Sequence, residues 1–492
     1  QKCWVVESVP NDKDEIYTLR AQNLSFLTIF ITFARNITHT MSTKSILHSL
    51  LYLLFFTASL SLSARRLTPA EVPAAQDRAW QAWRAQVAAD RSFYLPALQP
   101  LASAAPGEVQ IPAQLEPDAT MQFFYGSKGA RPEAGYPLFL YLHGSGSPDD
   151  EWNGGRQWAL RFADDPSVYF IPRIPRTGPW YRWYQASKQW AWEKLLQHAL
   201  ASPDIDPLRL YVFGISEGGY GSQRLASYYA DYWAAAGPMA GGEPLMNAPV
   251  DNCEHIGFSL LTGQFDTQFC RDRLTQVAAE EFAAARRKRP GAFRHRIELV
   301  PGAGHGFDYR PTTPWLAGHR RVVRPRSFSW ENFPMGGRYR SGFYNLAVDA
   351  PKATDTPSPL GPDGVNHYDG TAPRRLYTMR IEMNTIDLRV EEVSYTVTER
   401  GCEWGIPLRF KRTMRPADSG EVRIFLDEKL VDFKRPVRIR VNGKVRFEGR
   451  VTPSEESIAQ ALDLFHDPLR LYPACVKVKW CSWGGLTNMD KK

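Results

Sequence analysis

The sequence predicts an α/β fold followed by a C-terminal β-sandwich, and three observations carry that expectation. Short apolar runs in the middle of the chain end in glycine-bearing turns, as buried strands do. One of them, Leu208 to Phe213, passes through Gly214-Ile215-Ser216-Glu217-Gly218 at a strand-to-helix junction. Past Trp315 the pattern changes to apolar and polar residues in alternation, the period of strands with one buried face.

A chain of 492 residues exceeds one ordinary domain, and with 43% hydrophobic and 13% aromatic residues it can build a sizeable core, so two folded units are expected. The first methionine, Met41, opens a segment built like an export signal: Lys44, a largely apolar stretch from Ile46 to Leu60, then Ser61-Leu62-Ser63-Ala64. The expectation is an upstream or non-native extension over 1–40, a signal peptide over 41–64, and a mature protein secreted or periplasmic from near Arg65. The apolar stretch is about 15 residues, shorter than the roughly 20 that cross a bilayer, so no stable membrane span is expected after cleavage.

Residues 65–109 read as an N-terminal helical and irregular segment. Pro69 to Asp90 has helical character, with Trp80 and Trp83 three apart on one face, and Arg91 to Pro117 is irregular and proline-rich. From 110 to 317 the α/β pattern begins. Pro137 to Leu142 is a buried strand running into His143-Gly144-Ser145-Gly146, whose backbone N–H groups are candidates for holding an oxyanion; His143 itself shapes that turn. Val168 to Ile171 is a further strand. After it, Trp180-Tyr181-Arg182-Trp183-Tyr184 forms a loop in which Trp180, Arg182 and Trp183 are candidates for lining a substrate pocket, while Trp190 and Trp192 begin a helix and fill core.

A serine hydroxyl is a poor nucleophile unless held exposed beside a base, and the tight turn at Ser216 does this. The flanking glycines avoid collisions with strand and helix. Ile256 to Leu261 is another short strand, ending at Thr262-Gly263-Gln264-Phe265-Asp266, and Ile297 to Val300 leads to Pro301-Gly302-Ala303-Gly304-His305. Each of Ser216, Asp266 and His305 thus follows a strand, in the order nucleophile, acid, base. Asp308 is the competing acid, three residues from the histidine.

Residues from about Gln110 to Trp315 resemble an α/β-hydrolase of the esterase and dienelactone-hydrolase-like serine hydrolase group, on the phrases YLHGSG, YVFGISEGGYGSQ and GAGHGFDYR. The resemblance implies a mostly parallel sheet with helices on both faces and the three residues on loops at the strands' C-terminal ends. Backbone N–H groups of Gly144, Ser145 and Glu217 would hold the oxyanion. Glu217 departs from the pattern, since many members carry a neutral residue after the serine.

Residues 318–478 read as a β-sandwich of immunoglobulin-like type, with strands at Thr385 to Val390, Val422 to Leu426 and Val437 to Val441, the last joined through Asn442-Gly443 to Lys444 to Phe447 as a hairpin. Residues 479–492 read as a tail. The net charge of +8 comes from scattered arginines and one run, Arg286-Arg287-Lys288-Arg289, which ends the helical stretch Thr275 to Ala285 as a solvated helix terminus. No nucleic-acid motif accompanies it. Six cysteines allow disulfides in an exported chain, but spacing does not say which pair. Cys253-x-His255 is too sparse for structural zinc, so neither metal nor other cofactor is expected.

Three function classes follow: an exported serine hydrolase cleaving carboxylic esters through an acyl-enzyme, on a small-molecule or glycan substrate with acetyl or feruloyl groups as candidates; a prolyl-oligopeptidase-like serine peptidase; and a non-catalytic carbohydrate-binding protein.

Overall fold

The first half of the chain folds around an eight-stranded sheet. In this computed structural model residues 65–349 and 372–481 are described; the expected extension and signal peptide, the Gly/Pro-rich stretch Thr354 to Asp363 and residues 482–492 lie outside them. The helices of this half are α1 (Val72–Ala89), α2 (Pro148–Arg161), α3 (Ala186–Ala201), α4 (Glu217–Tyr228), α5 (Arg271–Lys288) and α6 (Thr312–Ala317). Its strands are β1 (Gly107–Gln110), β2 (Thr120–Lys128), β3 (Tyr136–Leu142), β4 (Ser167–Pro172), β5 (Ile205–Ile215), β6 (Ala235–Met239), β7 (Gly257–Gly263) and β8 (His295–Val300). They lie in the order β1-β2-β4-β3-β5-β6-β7-β8. Strands β3 to β8 run parallel and β2 runs antiparallel to both its neighbours, β1 and β4, giving the mostly parallel sheet the resemblance implies.

Every residue of β3 is buried, which explains why it reads as an unbroken apolar run: a central parallel strand is covered on both faces. Alternation then divides its side chains. Leu138, Leu140 and Leu142 join Leu210 and Val212 in one core with Trp192 and Leu195 of α3, Leu225 of α4 and Phe282 of α5. Phe139 and Tyr141 join Tyr211 and Phe213 in a second core with Trp152 of α2 and Leu316 of α6. Helices thus cover both faces.

Three strands of this sheet escaped the sequence reading. β1 lies inside the stretch expected to be irregular; only its Val109 is buried, too short a signal to register. β2 and β6 carry glycine, proline or polar residues within them. Trp80 and Trp83 of α1 stack at 4.9 Å, as their spacing suggests. Their helix packs mainly on α7 (Glu455–Phe465), through Ile458 and Leu462, rather than on the first sheet.

The second half contributes β9 (Ser327–Asn332), β10 (Gly342–Phe343), β11 (Leu346–Val348), β12 (Arg374–Glu382), β13 (Thr385–Gly401), β14 (Ile406–Pro416), β15 (Ser419–Leu426), β16 (Val437–Val441), β17 (Lys444–Gly449) and β18 (Ala474–Cys481). They form two sheets, β10-β11-β15-β18 and β17-β16-β13-β12-β9, with β14 paired to β13. The three strands expected here are present as β13, β15 and β16. The β16–β17 turn has positive φ at both Asn442 (48°) and Gly443 (78°), as a type I′ turn requires. One pairing, β13 with β16, is parallel. β18 extends through Cys481 with Trp480 buried, past the boundary expected at Val478. The basic run ends α5 with Arg286, Arg287 and Lys288 exposed.

Apolar residues of both C-terminal sheets belong to the same core as one face of the first sheet. From Arg66 onward the chain is one compact unit. Trp330 of β9 stacks on Phe343 of β10 at 5.3 Å and on Tyr377 of β12 at 5.2 Å, joining the two sheets. A shared core predicts one cooperative unfolding transition. Trp330→Ala, which empties a fully buried site, should cost about 3–5 kcal/mol and move the whole thermal transition downward. Two resolved transitions in calorimetry, with the first sheet unaffected, would contradict this.

Candidate functional site

Ser216 sits between the last residue of β5 and the first of α4 with φ 56° and ψ −115°, a strained conformation for a residue with a side chain. The chain reverses so tightly there that α4 begins against β3. A methyl group on Gly218 would overlap the carbonyl oxygen of Leu142, and one on Gly214 would meet the backbone of both Gly218 and Leu142. The two glycines are therefore a steric requirement of the turn. Backbone bonds fix it from the other side, with Ser216 N–H donating to Met239 O at 2.9 Å.

Ser216 Oγ lies 3.1 Å from His305 Nε2, and His305 Nδ1 lies 2.8 Å from Asp266 Oδ2. The three residues come from the ends of β5, β7 and β8. Asp266 is buried and its second oxygen accepts from Arg271 Nη1 at 2.9 Å. Burial alone would push its carboxyl up, but the hydrogen bond from His305 and the charge of Arg271 outweigh that and hold it below its ordinary value. It is thus an anion at neutral pH. Asp308 is exposed and paired with Arg310 at 2.8 Å, so the structure sets His305 against Asp266. The His305 side chain is half-exposed, which leaves the serine side open to solvent. Cavities of about 400 and 520 Å³ elsewhere in the molecule are lined by none of these three residues.

The loop after β3 is pinned from several directions. His143 is buried; its Nε2 accepts from Ile174 N–H at 3.1 Å, which assigns the proton to Nδ1, donated to Gly144 O at 2.7 Å. Burial pushes its pKa down to about 4, so it stays neutral and serves as a clamp on the turn. Tyr181 also donates to Gly144 O. One expectation needs correcting. The Gly144 N–H does not face an open space but donates to Glu151 Oε2 at 3.1 Å, from the first turn of α2. Ser145 is exposed on the same loop, and Glu217 is the first residue of α4, ahead of the first helical bond from Tyr220 N–H to Ser216 O at 3.1 Å. Those two N–H groups remain as candidate oxyanion donors.

Trp183 is a second correction. It is fully buried, donates its indole N–H to His143 O at 2.9 Å and packs edge-on against the His143 ring at 4.8 Å. It supports the loop from below and does not line a pocket. Trp180 is half-buried, between Arg176 and Lys188. Arg182 is turned to Glu217, with Nη1 3.5 Å from Oε2. Trp190 and Trp192 lie in α3 as expected. Glu151 and Arg271 were not singled out from the sequence, since neither belongs to a local motif, and Tyr181 was read only as part of the aromatic loop.

The Glu217 side chain is buried, with Oε1 making no hydrogen bond among the described residues. Burial pushes its pKa up to about 7, against the lowering effect of Arg182 and with a further rise from Glu243. A carboxyl raised on folding contributes its stability in full below the unfolded pKa and loses it as pH rises through the folded value. Ionised Glu217 therefore costs roughly 3 kcal/mol by pH 8. Glu217→Gln should flatten the fall in melting temperature between pH 5 and 8. Superimposable melting profiles for the two proteins would refute the assignment.

No family model and no curated protein matches the chain. Among solved structures it is similar to a thermostable esterase at 20% identity and TM-score 0.36, over 45% of this chain and 64% of that one. It is similar to a protein named as a dipeptidyl aminopeptidase IV from Bacteroides ovatus at 14% identity and TM-score 0.35, over 44% of this chain and 34% of that one. A ferulic acid esterase from the anaerobic fungus Anaeromyces mucronatus matches at 14% identity and TM-score 0.30, over 46% of this chain and 91% of that one. The chain thus spans less than two thirds of the first two. The chain's own strand order, its mostly parallel sheet with helices on both faces, and Ser216, Asp266 and His305 on loops at strand ends agree with what the sequence resemblance implies.

Proposed function

We propose that the protein is an exported carboxylic-ester hydrolase acting through an acyl-enzyme on Ser216. The observation that carries this reading is the unbroken line from Ser216 Oγ through His305 to Asp266, at 3.1 and 2.8 Å. His305 Nε2 takes the hydroxyl proton as Oγ attacks the ester carbonyl carbon. Asp266, ionised and gripped by Arg271, fixes the imidazole with its other proton on Nδ1 and stabilises the cation that forms. The N–H groups of Ser145 and Glu217 receive the developing oxyanion, each such donor being typically worth about 3 kcal/mol. His305 then returns its proton to the leaving alcohol, and a water activated by the same nitrogen releases the acid.

Export is supported by the leader-like segment from Met41 to Ala64 and by the Cys270–Cys402 disulfide, a bond that persists in oxidising compartments. We read the two C-terminal sheets as a β-sandwich whose role is packing against the hydrolase part, in keeping with the shared core. For the substrate we favour short acyl or aromatic esters on carbohydrate. With Trp183 buried, the support for this moves to two exposed rings at the loop that carries Asp266: Phe265, 64% exposed, and Trp404, 44% exposed and stacked on Phe269.

Ser216→Ala should lower turnover by roughly 10⁴ to 10⁶ and abolish labelling by a fluorophosphonate. The measurement is a panel of acetyl, feruloyl and longer-chain esters beside proline-containing peptides. Activity and labelling retained by the variant would end the nucleophile assignment. Peptide cleavage without ester cleavage would turn the reading to a serine peptidase, and a wild-type protein inert to every substrate and to the label would turn it to a binding protein.

A further inference from the structure

The hairpin made by β13 and β14 is far longer than its sheet needs, and its turn reaches the loop that carries Asp266. Cys402 in that turn is disulfide-bonded to Cys270, 132 residues away in sequence. Trp404 stacks on Phe269 at 5.9 Å, and Ile406 and Leu408 pack with Cys270 and Leu274. Arg273 and Arg409 add ion pairs to Glu399 and Glu280. These contacts converge on a short, unusual stretch of backbone. Phe269 and Cys270 both adopt left-handed φ, 54° and 55°, a conformation that side-chain-bearing residues hold only when their surroundings enforce it.

The next residue is Arg271. Its Nη1 donates to Asp266 Oδ1 at 2.9 Å, its Nε to the Tyr220 hydroxyl at 2.7 Å, and its guanidinium lies 5.1 Å from the Phe269 ring. Arg271 is buried and takes one carboxylate oxygen of Asp266, leaving the other to His305. We propose that the β13–β14 hairpin is part of the active site: through Cys402 it fixes the kinked turn that aims Arg271 at Asp266, and Arg271 is the positioning residue that sets the orientation and charge of the acid facing His305. This rests on the hydrolase reading of Ser216, Asp266 and His305.

The direction of the electrostatic effect follows from charge balance. Arg271 offsets much of the Asp266 charge that His305 feels. Without it the anion stands uncompensated and favours the imidazolium, so His305 would hold its proton to higher pH. The other titratable groups around the pair do not replace that cation. Tyr309 donates from its hydroxyl to His305 O, Tyr220 binds Arg271 itself, Ser216 is neutral, Asp308 is paired with Arg310, and the carboxyls of Asp272, Glu217 and Glu151 bring no positive charge.

The test uses the full chain with histidines isotopically labelled, following the His305 titration by NMR in wild type, Arg271→Met, Arg271→Lys and Cys402→Ser. The His305 midpoint should rise by about one pH unit in Arg271→Met and in Cys402→Ser, and return most of the way in Arg271→Lys. The acidic limb of kcat/KM on a small chromogenic acetate should move upward with it. If Cys402→Ser does not fold, the same titration on folded wild type before and after mild reduction of the disulfide replaces it. A midpoint unmoved in Arg271→Met, or moved there but unchanged by loss of the disulfide, overturns the proposal. The readout does not depend on turnover: wild type that titrates as expected yet resists the fluorophosphonate would overturn the hydrolase reading instead.

Discussion

The approach of α4 to β3 is the constraint on which the site depends. At Gly218 the helix backbone comes so close to the Leu142 carbonyl that no side chain fits, and at Gly214 the outgoing strand is equally tight. That closeness forces the reversal at Ser216 and lifts its hydroxyl out of the sheet with positive φ. It also brings the first N–H of α4 beside the loop that leaves β3, so Ser216 and the candidate oxyanion donors are placed by one contact. The sheet supplies the rest: β7 and β8 are neighbours, and the loops they lead into set Asp266 against His305 without a long connection.

Around this framework the carboxylates are kept in different states by different surroundings. Asp266 has two cationic or donating partners and remains an anion. Glu217, next to Ser216, is buried with a loosely held arginine and sits near the midpoint of its titration at neutral pH. Glu151 caps the Gly144 N–H and so stiffens the loop at the expense of a donor. Three acids within one small region thus do unlike work because burial and pairing differ, as tuned sites commonly arrange.

How much of this was legible in the sequence follows from the range of the interactions. Ser216, Asp266 and His305 each close a local pattern, an apolar strand and then a glycine-bearing turn, and could be placed from a dozen residues at a time. The type I′ hairpin at Asn442-Gly443 was equally local. Arg271 could not be found, because its role depends on a backbone kink held by Cys402, and nothing near Asp266 announces that. The aromatic loop misled for a related reason: composition shows that Trp183 is large and flat but not which way it points, and its indole goes under His143. β1 was missed because a four-residue edge strand with one buried side chain leaves little pattern, and β2 because glycine and polar residues interrupt its apolar run.

The disulfide divides the polypeptide in a way the fold conceals. Residues from Cys270 to Cys402 form a closed covalent ring, and His305 lies within it while Ser216 and Asp266 lie on the arm before it. Closing a ring of that size removes chain entropy from the unfolded state worth roughly 5 kcal/mol. It also means that a single backbone cut between those cysteines leaves one molecule rather than two. A nicked chain would still hold His305 to the arm that carries Asp266, four residues before Cys270, and only a reductant would release the fragments.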